Sequence, residues 1–320
     1  LCGNFIFSFS FVCAIISDII LLSERYFTMY YTLMVVAVAA FSFQFLFNQK
    51  FEERSGNGMK QSLTLQAGFS LSGLVVLSVV YLVRNGFTRI NGLGWFTLMM
   101  TLFSALNSVA FMMCSMKALG RINISLYSMF TTLGGMLLPS LLGIAFYNEG
   151  ITVAKIVSVL LIILALAVTV KKGESKSGTI YYAAIFVLNG FFGVISKIYQ
   201  SAPFDRVDEA AYMMITGAWS FAISLALLFI VTGRDKRFRP DGVSVLAMLG
   251  CGTMNYSGNL INLMSLAAIP ASVYYPVQTA GIIVVSTLMS FFTKKKPSCR
   301  ELAAVALSIL GIAAMLIIKG

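Results

Sequence analysis

Ten apolar stretches of about 20 residues, strung from Tyr30 to the C-terminus, constrain this chain more than any other feature. A helix rises about 1.5 Å per residue, so each stretch is long enough to cross about 30 Å of hydrocarbon. The spans read 30–49, 62–83, 93–118, 122–147, 151–170, 179–198, 210–232, 242–268, 271–292 and 298–318. Composition agrees, with 58% hydrophobic and 11% charged residues and a mean hydropathy of +0.88. A soluble domain carries about 25% charge, so the expectation is an all-α integral membrane protein.

The net charge of +11 would suggest nucleic acid in a soluble protein. Here the basic residues gather in short gaps between apolar runs, where insertion bias and anionic lipid explain them, and no nucleic-acid partner is expected. The five cysteines are scattered and histidine is absent, so neither a disulfide framework, a metal nor a cofactor is expected. Trp95 and Tyr181 stand near span ends, where an amphipathic ring suits the interface. Residues 1–28 form an apolar leader or an extra helix; the segment carries Asp18, and the first methionine is Met29, immediately before the first good span.

Sliding the chain over itself by 147 residues aligns 32–173 with 179–320 without a gap. Lys50 then meets Lys197, Ser125 meets Ser272, Tyr127 meets Tyr274, and Gly134 meets Gly281. Each repeat holds five spans, in 29–173 and 174–320. An odd number turns the two halves upside down relative to each other, so ten transmembrane helices as two inverted five-helix repeats are expected. This arrangement puts a ligand site between the halves near the bilayer midplane.

Three stretches carry a family resemblance: AFSFQFLFNQK at 40–50, echoed by FVLNGFFGVISK at 186–197; KALGRINISLYSMFTTLGGMLLPSLLGIAFYNEGIT at 117–152; and ASVYYPVQTAGIIVVSTLMSFFTKKKPS at 271–298. With them the chain resembles the ten-helix drug/metabolite transporters built of paired EamA-like domains. In that family a glutamate commonly follows the fourth and ninth helices; Glu149 fits, whereas Lys296 stands at the matching place in the second half. The resemblance implies a carrier in a bacterial plasma membrane, partnered by a small-molecule metabolite, the lipid bilayer and, as one option, a second copy in a homodimer.

Polar stripes nominate the substrate-binding residues. The eighth span carries Asn255, Asn259 and Asn262 at i, i+4 and i+7, on one helical face. Amides in lipid are costly, so such a face meets protein or water. The third span answers with Asn107, Ser108 and Ser115. Tyr274, Gln278 and Gly281 on the ninth span match Tyr127, Thr131 and Gly134 on the fourth, each set offering an aromatic wall, a polar anchor and room for close approach. Pro276 could expose a backbone carbonyl. Gln44 and Asn48 on the first span and Asn189 on the sixth complete the set. The other use of such residues is to hold helices together, and Lys50 and Lys197, at span ends, are read as snorkelling.

The acidic residues all fall outside the span interiors, with Glu52 placed in the first loop. A proton-coupled exporter of cations usually needs a membrane carboxylate. The expected function is therefore secondary transport of a small neutral or zwitterionic metabolite; the alternatives are a flippase for a lipid-linked sugar or a membrane-embedded enzyme. An enzyme would want a buried histidine, carboxylate pair or activated thiol, so no catalytic residue is assigned. Of 23 Lys and Arg, 16 lie beside the loops after odd-numbered spans, which the positive-inside rule makes cytoplasmic, with the C-terminus outside. The resemblance implies both termini inside; we follow the charges.

Overall fold

The computed structural model describes residues 2–86, 90, 92–146, 153, 156–157, 160–161, 163–165, 176–232, 239–266, 271–293 and 296–317. Among them the helices are α1 (Cys2–Ser55), α2 (Met59–Asn85), α3 (Trp95–Leu119), α4 (Ile124–Phe146), α5 (Lys176–Ser201), α6 (Glu209–Thr232), α7 (Gly242–Leu266), α8 (Ala271–Ser290) and α9 (Cys299–Ile317). The expected fifth span lies largely outside the described residues, as do Glu149 and the expected boundary at 173/174, and α5 to α9 correspond to the expected spans six to ten.

Among the described residues five stretches are long and apolar enough to cross a membrane: Met29–Ser55, Met59–Val83, Trp95–Leu119, Ile180–Ser201 and Glu209–Thr232. Helix α7 is long enough but is diluted by its asparagines, while the apolar parts described for α4 and α8, Ile124–Pro139 and Val277–Ser290, are shorter. Large apolar side chains such as Val83, Phe229, Ile230 and Leu310 stand exposed around the bundle. In water such a surface would drive association, whereas in lipid it is the solvated face.

Helix starts follow side-chain caps. The carboxyl or amide oxygens of Asn123, Asp208 and Asp241 accept from the backbone N–H three residues on, opening α4, α6 and α7. At α9 the Ser298–Glu301 pair forms half of a capping box, Glu301 Oε2 accepting from the Ser298 N–H at 2.7 Å. The first turn differs from the sequence reading. Helix α1 continues through Glu52 to Ser55, and only Gly56 to Gly58 separate it from α2, with Gly56 at a φ of 81°. Lysine and glutamate are good helix formers, so charge alone does not end a helix. Glu52 is consequently a buried residue of the last turn of α1 and not a loop residue.

Helix α1 packs along α7 and α8, α2 against α6 and α7, α3 against α5 and α6, and α4 against α5 and α8, with α9 outside α8 and α4. A tight crossing is α4 on α5, where a Cβ at Gly134 would collide with the Phe186 carbonyl and one at Gly190 would meet Leu138. One end of the bundle gathers the turn after α1, the turn after α3 and the starts of α7 and α9. Arg54 pairs with Asp241 at 2.9 Å, the Ser55 and Ser244 hydroxyls meet at 2.9 Å, and Asn123 donates to Glu301 at 2.7 Å. Lys117 and Arg121 of this end lie over the Tyr181 ring. At the opposite end Thr97 bonds to Tyr199, and Tyr199 packs against Phe96 and Tyr212.

Candidate functional site

Helix α7 is the spine of the polar region. Its face at Cys251, Asn255, Asn259 and Asn262 turns toward α1 and α8, and each position has a partner there or one turn away. The Cys251 thiol donates to Asn48 Oδ1 at 2.8 Å, and Asn255 Nδ2 donates to Gln44 Oε1 at 2.9 Å. Asn259 Nδ2 donates to the backbone oxygen of Asn255 at 2.9 Å and to its side-chain oxygen at 3.2 Å. Asn262 Oδ1 accepts twice, from the Tyr274 hydroxyl at 2.5 Å and from Gln278 Nε2 at 2.6 Å.

The two tyrosines occupy equivalent places. Tyr127 is the fourth residue of α4 and Tyr274 the fourth of α8. Tyr127 bonds through its hydroxyl to Ser115 on α3, twelve residues earlier, just as Tyr274 bonds to Asn262 on α7, also twelve residues earlier. Both rings are fully buried. Phe45 meets the Tyr127 ring edge-on with centroids 5.2 Å apart, and Asn48, Thr131 and Cys251 surround the same tyrosine.

These two corners lie toward opposite ends of the bundle. Cys251, beside Tyr127, and Asn262, beside Tyr274, are eleven residues apart on α7, or about 16 Å along its axis. The expected single cluster near the midplane is thus drawn out into a stripe: Tyr127, Thr131 and Asn48 at one end, Gln44, Asn255 and Asn259 between, Tyr274 and Gln278 at the other. The reason is geometric, because a residue in the first turn of a helix lies near an end of it.

Three nominated residues are tied off between helices. Asn107 Nδ2 donates to the Leu188 carbonyl at 2.9 Å, Asn189 Nδ2 to the Thr131 carbonyl at 2.7 Å, and the Ser108 hydroxyl accepts from Gln66 at 2.9 Å. Gln66 on α2 was not nominated from sequence, although an amide inside a span is a signal that could have found it. Cys251 was likewise outside the nominated set, yet it stands four residues before Asn255 on the same stripe.

Among the described residues a few buried polar side-chain atoms have no hydrogen-bond partner, and two of them, Asn48 Nδ2 and Thr131 Oγ1, face the Tyr127 corner. Buried polar groups are nearly always paired, and the polar neighbour that both of these share is the Tyr127 hydroxyl. No cluster of three or more His, Cys, Asp or Glu side chains suited to a metal ion occurs among the described residues.

No family model and no curated protein matches this sequence. A crystal structure described only as that of a protein is similar over 90% of this chain and 96% of that one, with 15% identity and a TM-score of 0.57. At that identity the likeness concerns the fold alone.

Proposed function

We propose that this chain is a ten-helix secondary transporter of the drug/metabolite type, two inverted five-helix repeats moving a small neutral or zwitterionic metabolite across a bacterial plasma membrane by alternating access. The observation that carries the reading is the matched pair of tyrosine corners, Tyr127 on Ser115 and Tyr274 on Asn262, which exchange under the 147-residue shift. Helix packing supports it in the same way: the shift turns α1 on α7 into α5 on α3, α4 on α5 into α8 on α1, and α2 on α7 into α6 on α3, and each of these contacts exists. Two inverted halves supply two related states, open to either side, and the polar stripe between them is the place to bind a solute.

Orientation follows from charge. The ends that meet through Arg54 and Asp241 belong to the basic set of loops, which we assign to the cytoplasm. A C-terminal reporter active only in the cytoplasm would overturn that assignment.

The test is transport by purified protein in proteoliposomes, using a pooled metabolite extract followed by the single compounds that enter. Asn259→Leu and Gln278→Leu keep bulk while deleting the amide. Loss of a ligand hydrogen bond costs about 1 to 3 kcal/mol, or about five- to 150-fold in apparent affinity. An amide that only holds helices together costs about 0.6 kcal/mol of stability and leaves transport constants unchanged. Wild-type constants in both variants would move the binding site elsewhere, and vesicles that accumulate nothing would end the transporter reading.

A further inference from the structure

At the end of the bundle away from the basic loops, two tyrosines of the proposed second half reach across to hydroxyls of the first. Tyr199, in the last turn of α5, meets Thr97 Oγ1 at 3.1 Å, and Tyr212, in the first turn of α6, meets Ser104 Oγ at 2.6 Å. Thr97 and Ser104 are seven residues apart and so share one face of α3. The Tyr199 hydroxyl also accepts from the Val207 N–H at 3.0 Å, which fastens the turn at 202–208, between α5 and α6, to the same point. The rings form one pile. Phe96 stacks on Tyr199 with centroids 5.7 Å apart and packs on Phe204 at 4.7 Å, while Tyr199 packs on Tyr212 at 4.4 Å. Beside it the two backbones touch: Gly92 stands at a φ of 77°, and a Cβ there would collide with the Arg206 carbonyl.

The matched place at the basic end is built differently. The 147-residue shift puts Phe96, Tyr199, Phe204 and Tyr212 on Val243, Glu52, Asn57 and Leu65, none of them aromatic. There α1 and α7 meet instead through Ser55 on Ser244 and Arg54 on Asp241. A tyrosine pile is suited to repeated opening. Its rings attract one another while packed, and each carries a polar tip. When the helices part, the tyrosine, threonine and serine hydroxyls and the Val207 N–H can turn to water, so no polar group is stranded.

We infer, on the transporter reading above, that Tyr199, Tyr212 and the 202–208 turn are the gate of this end. The turn is a strap that the two tyrosines hold against α3, and it lifts to let the solute pass. Helices α5 and α3 are the counterparts under the shift of α1 and α7, which carry the polar stripe, so the strap closes the path that the stripe begins.

The experiment locks the strap. Leu93 and Arg206 are exposed and flank the Gly92 contact, so Leu93→Cys/Arg206→Cys can be joined by a short bifunctional methanethiosulfonate without altering either tyrosine. Uptake of a pooled metabolite extract into proteoliposomes is followed before cross-linking, after it and after dithiothreitol, with the wild-type protein and its own cysteines carried through the same treatment. The expected result is loss of most uptake on cross-linking and its return on reduction, with the wild type unaffected. Full uptake by the cross-linked protein overturns the inference and leaves the transporter reading intact, because a contact that never opens can be locked without effect. Failure of the two cysteines to join also overturns it, since the strap is then not held on α3. A second measurement needs neither transport nor cross-linking. Tyr212→Phe keeps the ring and deletes its hydroxyl; hydrogen exchange in the 202–208 turn, which Tyr199 still ties, should quicken about fivefold if the two tyrosines open as one unit. Unchanged exchange there overturns the inference. Absence of uptake by the wild type and by the reduced variant alike ends the transporter reading together with the inference.

Discussion

The Tyr127 and Tyr274 corners share a backbone plan and differ in how fully they are hydrogen-bonded. At Tyr274 a single amide oxygen, Asn262 Oδ1, satisfies both the tyrosine and Gln278. At Tyr127 the matched positions carry Ser115 and Thr131, whose shorter side chains reach less far; Ser115 holds the tyrosine, but Thr131 Oγ1 and the adjacent Asn48 Nδ2 stay unpaired. One corner is closed upon itself, whereas the other keeps two polar atoms outside any such bond. Matched positions therefore share where two helices meet without sharing how fully the meeting place is hydrogen-bonded.

The largest effect should come from removing either ring. Tyr127→Ala deletes a side chain packed within the main apolar cluster of the bundle and should destabilise by about 3 to 5 kcal/mol in chemical unfolding from detergent micelles. Tyr274 belongs to a smaller cluster with Met34, so Tyr274→Ala should fall at the low end of that range. Equal losses would mean that the corners are energetically alike.

Next in size is the acceptor. Asn262→Leu strands two donors, Tyr274 and Gln278, and should cost about 2 to 3 kcal/mol, against about 1 kcal/mol for Ser115→Ala, which strands only Tyr127. If Ser115→Ala proved the more damaging, the claim of a closed Tyr274 corner would fail.

A difference in sign is expected at the third pair. Gln278→Leu removes a formed hydrogen bond and should lower stability by about 1 kcal/mol, whereas Thr131→Val removes an unpaired buried hydroxyl and should be neutral or raise stability by up to about 1 kcal/mol. Thermal unfolding of the two variants without added solute measures this directly. Clear destabilisation by Thr131→Val would show that its hydroxyl is already satisfied.

The smallest effect lies at the basic end of the bundle. Hydrogen bonds from Ser244, together with the nearby Arg54 guanidinium, hold the Asp241 carboxyl below its ordinary value of 3.8. Its contribution to stability is complete above that value and is lost only as pH falls through the lowered one. Asp241→Asn should therefore leave the pH dependence unchanged between pH 5 and 8, a flat working range on the order of that usual for folded proteins, and reduce the loss of stability in strong acid. Exposed pairs of this kind contribute little, and salt should weaken this one further.

How much of this was legible beforehand depends on the kind of residue. The apolar boundaries at 122, 210, 242 and 298 fall within a residue or two of the helix starts at Ile124, Glu209, Gly242 and Cys299, because a polar cap and the end of an apolar run coincide there. The end of α1 was misread, because a charged run looks like a loop until it is seen to continue the helix. Of the nominated residues, Gln44, Asn48, Asn255 and Asn259 lie along one seam, while Asn107, Ser108 and Asn189 bond between other helices. Periodicity shows that a residue shares a face, and it says nothing about which neighbour that face meets.

By itself the sequence determined that the chain is helical and apolar enough for a membrane, since both follow from composition and spacing along a single helix. Only the tertiary structure decided that Tyr127 and Tyr274 stand toward opposite ends, that Glu52 is buried beneath Asn48, and that one corner is satisfied while the other is not. Those are outcomes of side chains from separate helices reaching, or failing to reach, a common point, and distance across a bundle is not encoded in distance along the chain.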